Sequence, residues 1–204
     1  MTGEPDLVQG AWTRRSASID AGPHFETQLV VWLQVGTCYA DLRVPLHPDA
    51  DERCFTGRSF WEGDLYRWTH DLDLEAIDGV SPPAADDVGQ LKWSDGALIE
   101  TGAFPTAGGS VPYEEVWVRL PDGEDPWLAM EADGACLIRV GAHAITVADR
   151  RPAGGEFAAC YRILGLDGWR TAAAIGPAAT LPGPDQSTSG WKVVHSGSRE
   201  RAKL

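Results

Sequence analysis

The sequence predicts an all-β protein with an antiparallel β-barrel architecture. Three observations favour this fold class. The 204 residues include nine Trp, 23 Gly and 14 Pro, a composition that suits pleated strands and sharp turns. Short alternating segments are punctuated by turn residues roughly every ten positions. Between them no amphipathic pattern is longer than two helical turns, so βαβ units are not expected.

Charge and composition exclude several classes of partner. With 43% hydrophobic residues the chain can bury a substantial core. A formal charge of -13 disfavours binding to nucleic acid or to an anionic membrane, because both need clustered Lys and Arg. The acidity serves solubility or, alternatively, attracts a cationic ligand. No apolar segment is long enough to span a membrane, and "MTGEPDLVQG" lacks the pattern of a signal peptide, which predicts a cytoplasmic protein.

The strands follow one another as a meander. "AWTRRSASI" and "TQLVVWLQV" come first, and "CYADLRVPL" follows a turn at Gly36. The next segments are "CFTGRSFW" and "DLYRWTHDLDL", then "GQLKWSD" and "ALIETGAF", which meet at an Asp95-Gly96 hairpin signal. Six further strands run from "YEEVWVRL" to "WRTAAAIG". The segment 76–88 is predicted to be a loop because it contains a Pro pair and an acidic pair.

A faint internal repeat predicts two pseudo-repeated, barrel-like halves. "VVWLQVGTCYADLRV" resembles "PWLAMEADGACLIRV", and one Trp opens each half. The predicted organisation is a first lobe over residues 8–110, a second lobe over 111–195 and a flexible tail over 196–204. The matched positions are Trp32 with Trp127, Gly36 with Gly134, Cys38 with Cys136, Arg43 with Arg139, and Trp12 with Trp117.

Several short motifs in the first half resemble a known family. They are "VVWLQ", "YADLRVP", "FTG", "DVGQLKW", "LIETG" and "YEEVW", together with Trp12 after Gly10. With these motifs the chain is similar to the lipocalin-like proteins of the fungal Hri type and their bacterial relatives. The resemblance implies two lipocalin-like, calycin-type barrels in tandem, with a cavity, and carries over no biochemical function.

The strand "DLYRWTHDLDL" offers the first candidate site residue. Period-2 alternation places Tyr66, Trp68 and His70 on one face with Leu72 and Leu74, and puts Arg67, Thr69, Asp71 and Asp73 on the other. The first face is apolar and should point inward. His70 is then either a satisfied core residue or an acid or base at a cavity wall.

Two neighbouring strands supply candidate ligand contacts. "TQLVVWLQV" is apolar on both faces, which predicts a strand between the barrel lumen and a covering second layer. Either Trp32 and Gln34 or their neighbours should therefore face the lumen. Asp41 and Arg43 are expected as an outward or rim pair, although strand curvature could turn Arg43 inward as an anchor for an anionic group.

Two carboxylates are further candidates. Glu100 alternates with Leu98, and Glu115 shares a face with Tyr113 and Trp117. Apolar neighbours would raise the pKa of a buried carboxylate into the range of a general acid or base, whereas at a strand edge each group would be an ordinary solvated charge.

The chain lacks the common catalytic and metal-binding signatures. It has no GxSxG, GxGxxG, P-loop or HExxH motif, its five His are scattered, and Cys38, Cys54, Cys136 and Cys160 show no ligand spacing. We therefore expect buried, reduced thiols and neither a metal nor a cofactor.

The sequence favours a binding protein for a small, largely apolar or aromatic molecule, held in the first lobe. Trp32, Trp61, Tyr66 and Trp68 would line the cavity, with Gln34 and Arg43 as polar contacts and His70 as the chief polar group. One alternative is a cofactor-free biosynthetic enzyme, a cyclase, isomerase or lyase, with His70 and Glu100 or Glu115 as acid and base. Another is a scaffold whose strand edges bind a protein.

Overall fold

The computed structural model describes residues 7–76, 86–106, 108–186 and 189–197, and within these residues there is no α-helix. The regular structure of these described residues consists of 15 strands and two short 3-10 turns, Arg151–Ala153 and Ala178–Thr180. The strands are β1 Gly10–Ile19, β2 Gln28–Val35, β3 Cys38–Pro45, β4 Arg53–Glu62, β5 Leu65–Trp68, β6 Leu72–Asp73, β7 Asp87–Ser94, β8 Ala97–Thr106, β9 Gly109–Arg119, β10 Trp127–Ala132, β11 Ala135–Val140, β12 His143–Asp149, β13 Phe157–Gly165, β14 Gly168–Ile175 and β15 Lys192–Gly197. The predicted all-β fold class is confirmed.

The first nine strands form a closed antiparallel barrel. Eight of them, β1 to β5 and β7 to β9, pair with their neighbours in chain order, and β9 pairs back with β1. The short β6 continues the line of β5 along β4. The Asp95-Gly96 turn joins β7 to β8 as predicted, with positive φ at both residues. An up-and-down order of this kind leaves the barrel no open edge.

The remaining strands form a second sheet with the order β14-β13-β12-β11-β10-β15. It lies against the outside of the barrel at β2 and β3. Val31, Leu33 and Leu42 from the barrel pack with Ile138 and Ile145 from the second sheet in one fully buried cluster. This contact explains why β2 is apolar on both faces, since one face meets the second sheet and the other the barrel interior.

The second half is a six-stranded sheet that covers the barrel. The hairpin β10–β11 repeats the local form of β2–β3, with left-handed glycines at Gly36 and Gly134 in the two turns. Trp117, however, does not open the second half as expected, because β9 is a strand of the barrel and lies beside β1. The expected lobe boundary at 110/111 falls within β9, and β15 extends to Gly197.

The cysteines lie in the core. Cys38, Cys54, Cys136 and Cys160 are buried and free, as expected from their apolar strands. Burial raises the pKa of Cys38 and raises that of Cys54 further, which favours the thiol over the reactive thiolate.

Candidate functional site

Aromatic side chains fill one half of the barrel interior. Trp12, Trp32 and Trp117 are almost completely buried, and the Trp32 ring lies 5.9 Å from that of Trp12 and 5.5 Å from that of Trp117. Trp68 and Tyr66 add edge-to-face contacts to the same cluster. Trp61 packs on Tyr66 at its margin. Because the rings occupy this space, room for a ligand is found at the other end of the barrel.

A closed polar network lies at this packed end. Trp32 and Gln34 face the interior, as one of the two expected arrangements required. The Gln34 side-chain oxygen accepts hydrogen bonds from the Trp32 indole N–H and the Ser59 hydroxyl, while its amide donates to the Gly36 carbonyl. Tyr66 extends the network through Ser59, and burial raises the pKa of Tyr66 to about 12. In this geometry Gln34 orders the core of the barrel.

The opposite end of the barrel is an open, polar mouth. A cavity of about 300 Å³ lies between the ends of β3, β4, β7, β8 and β9. A second hollow of about 320 Å³ adjoins it across β1 and β2 and shares five lining residues with it, Arg43, Arg53, Phe104, Tyr113 and Glu115. A narrow recess of about 20 Å³ leads from Glu100 and Asp87 down to Trp32 and Trp68. His70, Glu100 and Glu115, the three predicted acid or base residues, all line the 300 Å³ cavity.

Asp41 and Arg43 point into the barrel at its mouth, so the expected outward orientation is wrong and the inward orientation is the one observed. The role of Arg43 as an anchor for an anionic group stays a prediction. The outer face of β3 is occupied by Cys38, Ala40 and Leu42 against the second sheet, which leaves the alternate residues to the lumen. Arg43 donates from Nε to Asp41 at 2.8 Å, and its guanidinium lies 5.2 Å from the centre of the Phe55 ring. Burial alone would lower the pKa of Arg43, but the carboxylates of Asp41 and Glu115 outweigh it and raise the pKa above its ordinary value.

Glu100 and Glu115 face each other across β8 and β9. They are directly paired in the strand register, and both are buried. Glu115 accepts a hydrogen bond from Arg14 and lies 3.9 Å from Nη1 of Arg43. Glu100 accepts hydrogen bonds from the Tyr113 hydroxyl at 2.9 Å and the Trp117 indole N–H at 3.0 Å. Burial, followed by the proximity of Glu115, raises the pKa of Glu100 to about 8.

His70 is held between two aspartates. Its Nδ1 lies 2.9 Å from Asp73 and its Nε2 lies 3.3 Å from Asp87, while its ring stacks on Phe55 at 4.4 Å. Burial alone would lower the pKa of His70, but the two carboxylates together outweigh it and raise the pKa to about 9. The imidazole is therefore mostly protonated at neutral pH, and both of its N–H groups face carboxylates of the protein.

The predicted alternation holds through His70 and then fails. Leu72 and Leu74 pack with the cluster between the two sheets, and Asp73, expected outside, is buried beside His70. The strand is interrupted between Trp68 and Leu72, so period-2 reasoning no longer applies beyond that point. The expected loop 76–88 lies mostly outside the described residues.

Sequence reasoning missed Arg14, Asp73 and Asp87 as parts of the mouth. Arg14 sits two residues after the interior Trp12 in β1, so alternation alone could have placed it inside. Asp87 pairs with Trp68 at the start of β7, a position that no local pattern reveals. No group of three or more His, Cys, Asp or Glu in the described part of the chain is arranged to hold a metal ion.

Comparison with known proteins shows the fold. No protein-family model matches the chain, and no curated protein matches it. The crystal structure of an uncharacterized protein from Saccharomyces cerevisiae, YLR301w, is similar to this chain with a TM-score of 0.72 and 14% sequence identity. The match covers 94% of this chain and 100% of that one. Within the described residues, no helix is long and apolar enough to cross a membrane.

Proposed function

We propose that this protein binds a small molecule with an aromatic or apolar part in the mouth of its barrel. The observation that carries the proposal is the 300 Å³ cavity, into which His70, Glu100, Glu115 and Arg43 all converge. This volume lies at the lower end of the range of small-molecule sites, and a few convergent polar groups among apolar ones are typical of them. Phe55, Phe104 and Tyr113 supply the apolar contacts.

The packing of the barrel supports a preformed site. The tryptophan cluster fills the closed end and gives the mouth a rigid floor. The polar side chains at the mouth are held by one another, as in the contacts of Arg43 with Asp41 and of His70 with Asp73. Such a site loses little conformational entropy when a ligand enters.

Membership of the lipocalin-like, calycin-type proteins is part of the same proposal. An eight-stranded up-and-down barrel with a site at its mouth supports it, because lipocalins share this strand order. The cytoplasmic location, and a small molecule as the partner in preference to nucleic acid or membrane, are further expectations of the proposal. The net charge of -13 supports the choice of partner.

Native mass spectrometry of protein purified from its own host tests the proposal. We expect a co-purifying small molecule, seen as a discrete mass increment that is lost on denaturation. Ala103→Trp, which places a large ring at the exposed lining of the mouth, should abolish the increment. Ala172→Trp, on the exposed face of β14, is the matched control and should retain it. An increment that persists in Ala103→Trp would place the ligand elsewhere.

A cofactor-free enzyme is the second candidate. The observation in its favour is a pair of facing carboxylates with different surroundings, since Glu115 is bound by Arg14 whereas the pKa of Glu100 is raised to about 8. Two carboxyl groups in such different surroundings can act as general acid and base near neutral pH. If the co-purifying molecule is a substrate, a catalytic amount of protein should convert it, and Glu100→Gln should lower turnover by roughly 10²–10⁴-fold. Unchanged turnover in Glu100→Gln would exclude this role.

A further inference from the structure

We propose that the ligand of the barrel mouth carries a protonated amine beside its aromatic or apolar part, and that Glu100 is the counter-ion of that amine. The inference rests on the proposed function, since it names the chemistry of the ligand that the mouth takes. It follows from how the charged side chains around the 300 Å³ cavity pair with one another.

The cationic side chains of the mouth are engaged by carboxylates of the protein. Arg14 contacts Glu26 and Glu115, with Nε 2.8 Å from Glu26. Arg43 contacts Asp41 at 2.8 Å. The remaining two cations are Arg53, 3.3 Å from Glu75, and His70, which lies between Asp73 and Asp87. An anionic ligand would have to displace one of these carboxylates.

Glu100 differs from the other buried acids of the mouth. Its two hydrogen-bond donors, Tyr113 and Trp117, are neutral, and within the described part of the chain it forms no salt bridge. It is 7% exposed and lines both the cavity and the narrow recess below it. Moving an ionised carboxylate to such a position is costly unless a cation joins it. A cation in the cavity would supply that missing partner.

The surroundings of Glu100 suit an organic cation. Phe104 and Tyr113 stack with ring centroids 4.5 Å apart and line the cavity, and Phe55 borders it. The faces of aromatic rings attract ammonium groups, and their area binds an apolar body. Asp87 is about half exposed and adds negative potential at the entrance. The net charge of -13 favours the approach of a cation over that of an anion.

Binding of an amine should also change the protonation state of Glu100. In the free protein burial raises the pKa of Glu100 to about 8, and a neighbouring ammonium would lower it. Among the described residues, the charged or titratable groups that act on Glu100 are Glu115 and Tyr113 on β9, Asp87 on β7 and Arg43 on β3. Binding of an amine below pH 8 should therefore release a proton, and affinity should increase with pH, by up to roughly tenfold per unit between pH 6 and 8.

Three compounds of similar size and different charge provide the test. Isothermal titration calorimetry with 2-phenylethylamine, 2-phenylethanol and phenylacetate should give the tightest binding for the amine, by roughly tenfold or more over the alcohol. Phenylacetate should bind least. In Glu100→Gln the amine should lose this advantage and its dependence on pH, while the alcohol should change little. Glu114→Gln removes one negative charge from the outer face of β9 and is the matched control.

The outcomes separate this inference from the proposed function. If the alcohol or phenylacetate binds as well as the amine, or if Glu100→Gln leaves amine affinity unchanged, the inference is overturned while the mouth still binds small molecules. If none of the three compounds binds at millimolar concentration, the inference is overturned as well, and the co-purification experiment then decides the proposed function independently.

Discussion

His70 and Glu100 both hold protons to unusually high pH, for opposite physical reasons. Attraction to Asp73 and Asp87 keeps the His70 imidazolium charged, with a pKa of about 9. Burial and the nearby Glu115 keep the Glu100 carboxyl neutral, with a pKa of about 8. The two groups line the same cavity, so a single mouth contains a fixed cation and a carboxyl group that changes its protonation state near neutral pH.

Replacing His70 should reduce stability in a manner that depends on pH. A pKa raised from 6.5 to about 9 means that the native state binds the His70 proton more tightly than the unfolded state does. The contribution of this proton to the free energy of unfolding is therefore complete below pH 6.5 and is lost as pH rises through 9. The pH-dependent part of the loss in His70→Asn should be on the order of 3 kcal/mol. Urea unfolding at pH 6 and pH 9.5, with the exposed His47→Asn as control, measures it. A loss independent of pH would contradict the charged state of His70.

Replacing Glu100 should increase the free energy of unfolding at high pH, whereas replacing His70 should decrease it at low pH. Because its folded pKa of about 8 exceeds the usual 4.5, wild-type stability should decline as pH rises from 4.5 to 8. Glu100→Gln keeps a neutral side chain and should remove that part of the decline, on the order of 4 kcal/mol between pH 5 and pH 9. Unfolding curves at pH 5 and pH 9 compare the two proteins, with Glu114→Gln as control. Parallel declines in both would mean that Glu100 is not buried as a neutral acid.

The site was only partly predictable, because the alternation of residues along a strand indicates which face a side chain lies on but not which residues of other strands it contacts. Alternation indicates an interior position for His70, Glu100 and Glu115, since each shares a strand face with apolar or aromatic residues. It did not reveal that Asp73 and Asp87 hold His70, because one follows a strand interruption and the other comes from a distant strand. The inward direction of Arg43 depends on the second sheet covering β3, which is a property of the whole fold.

At the scale of elements, the break between β5 and β6 positions the mouth. β4 carries both short strands along one edge, and between them Thr69 approaches β4 closely at Gly57. The Thr69 amide donates to the Arg58 carbonyl and the Asp71 amide donates to the Thr56 carbonyl. This crossing turns the chain so that His70 leaves the line of the strand and stacks on Phe55.

Gly57→Ala should destabilise the barrel at this crossing. A Cβ atom at Gly57 would clash with the Thr69 carbonyl oxygen, a backbone atom that cannot rotate away. We expect a loss of about 3 kcal/mol in the free energy of unfolding. Gly165→Ala, where the nearest atom is 3.9 Å from the added Cβ, is the control and should change stability little. Equal effects of the two substitutions would show that the crossing is not closely packed.

At the scale of the whole molecule, the second sheet supports the barrel on the side of β2 and β3. Its packing explains the two-sided apolar pattern that the sequence already showed. The internal repeat predicted the hairpin β10–β11 but not the open six-stranded arrangement, because strand closure depends on pairing between distant segments. Arg151, at the end of this sheet, donates hydrogen bonds to the carbonyls of Asp73, Leu74 and Ala76.

Arg151→Gln should therefore loosen the mouth from outside the barrel. The variant leaves the three carbonyls and Asp149 without their charged donor, which should cost roughly 2–3 kcal/mol. Hydrogen exchange should show faster exchange at the amides of Leu74 and Ala76, which bond to the carbonyls of Cys54 and Asp73. Arg150→Gln, at the exposed neighbouring position, should leave both amides protected. Unchanged exchange in Arg151→Gln would contradict this link between the sheets.

The central claim is that ligands enter the polar mouth and not the tryptophan-filled end. The indole N–H signals in a ¹H–¹⁵N spectrum test it most directly, because Trp117 donates to Glu100 beside the cavity whereas Trp12 donates to the Val8 carbonyl at the far end. On titration with 2-phenylethylamine and, separately, 2-phenylethanol, we expect a saturable shift of the Trp117 indole signal. We expect little change at Trp12 and at Trp93, whose ring centroid lies 5.5 Å from that of Trp12. Shifts centred on Trp12 and Trp93, or no saturable shift at Trp117 with either compound, would contradict the account.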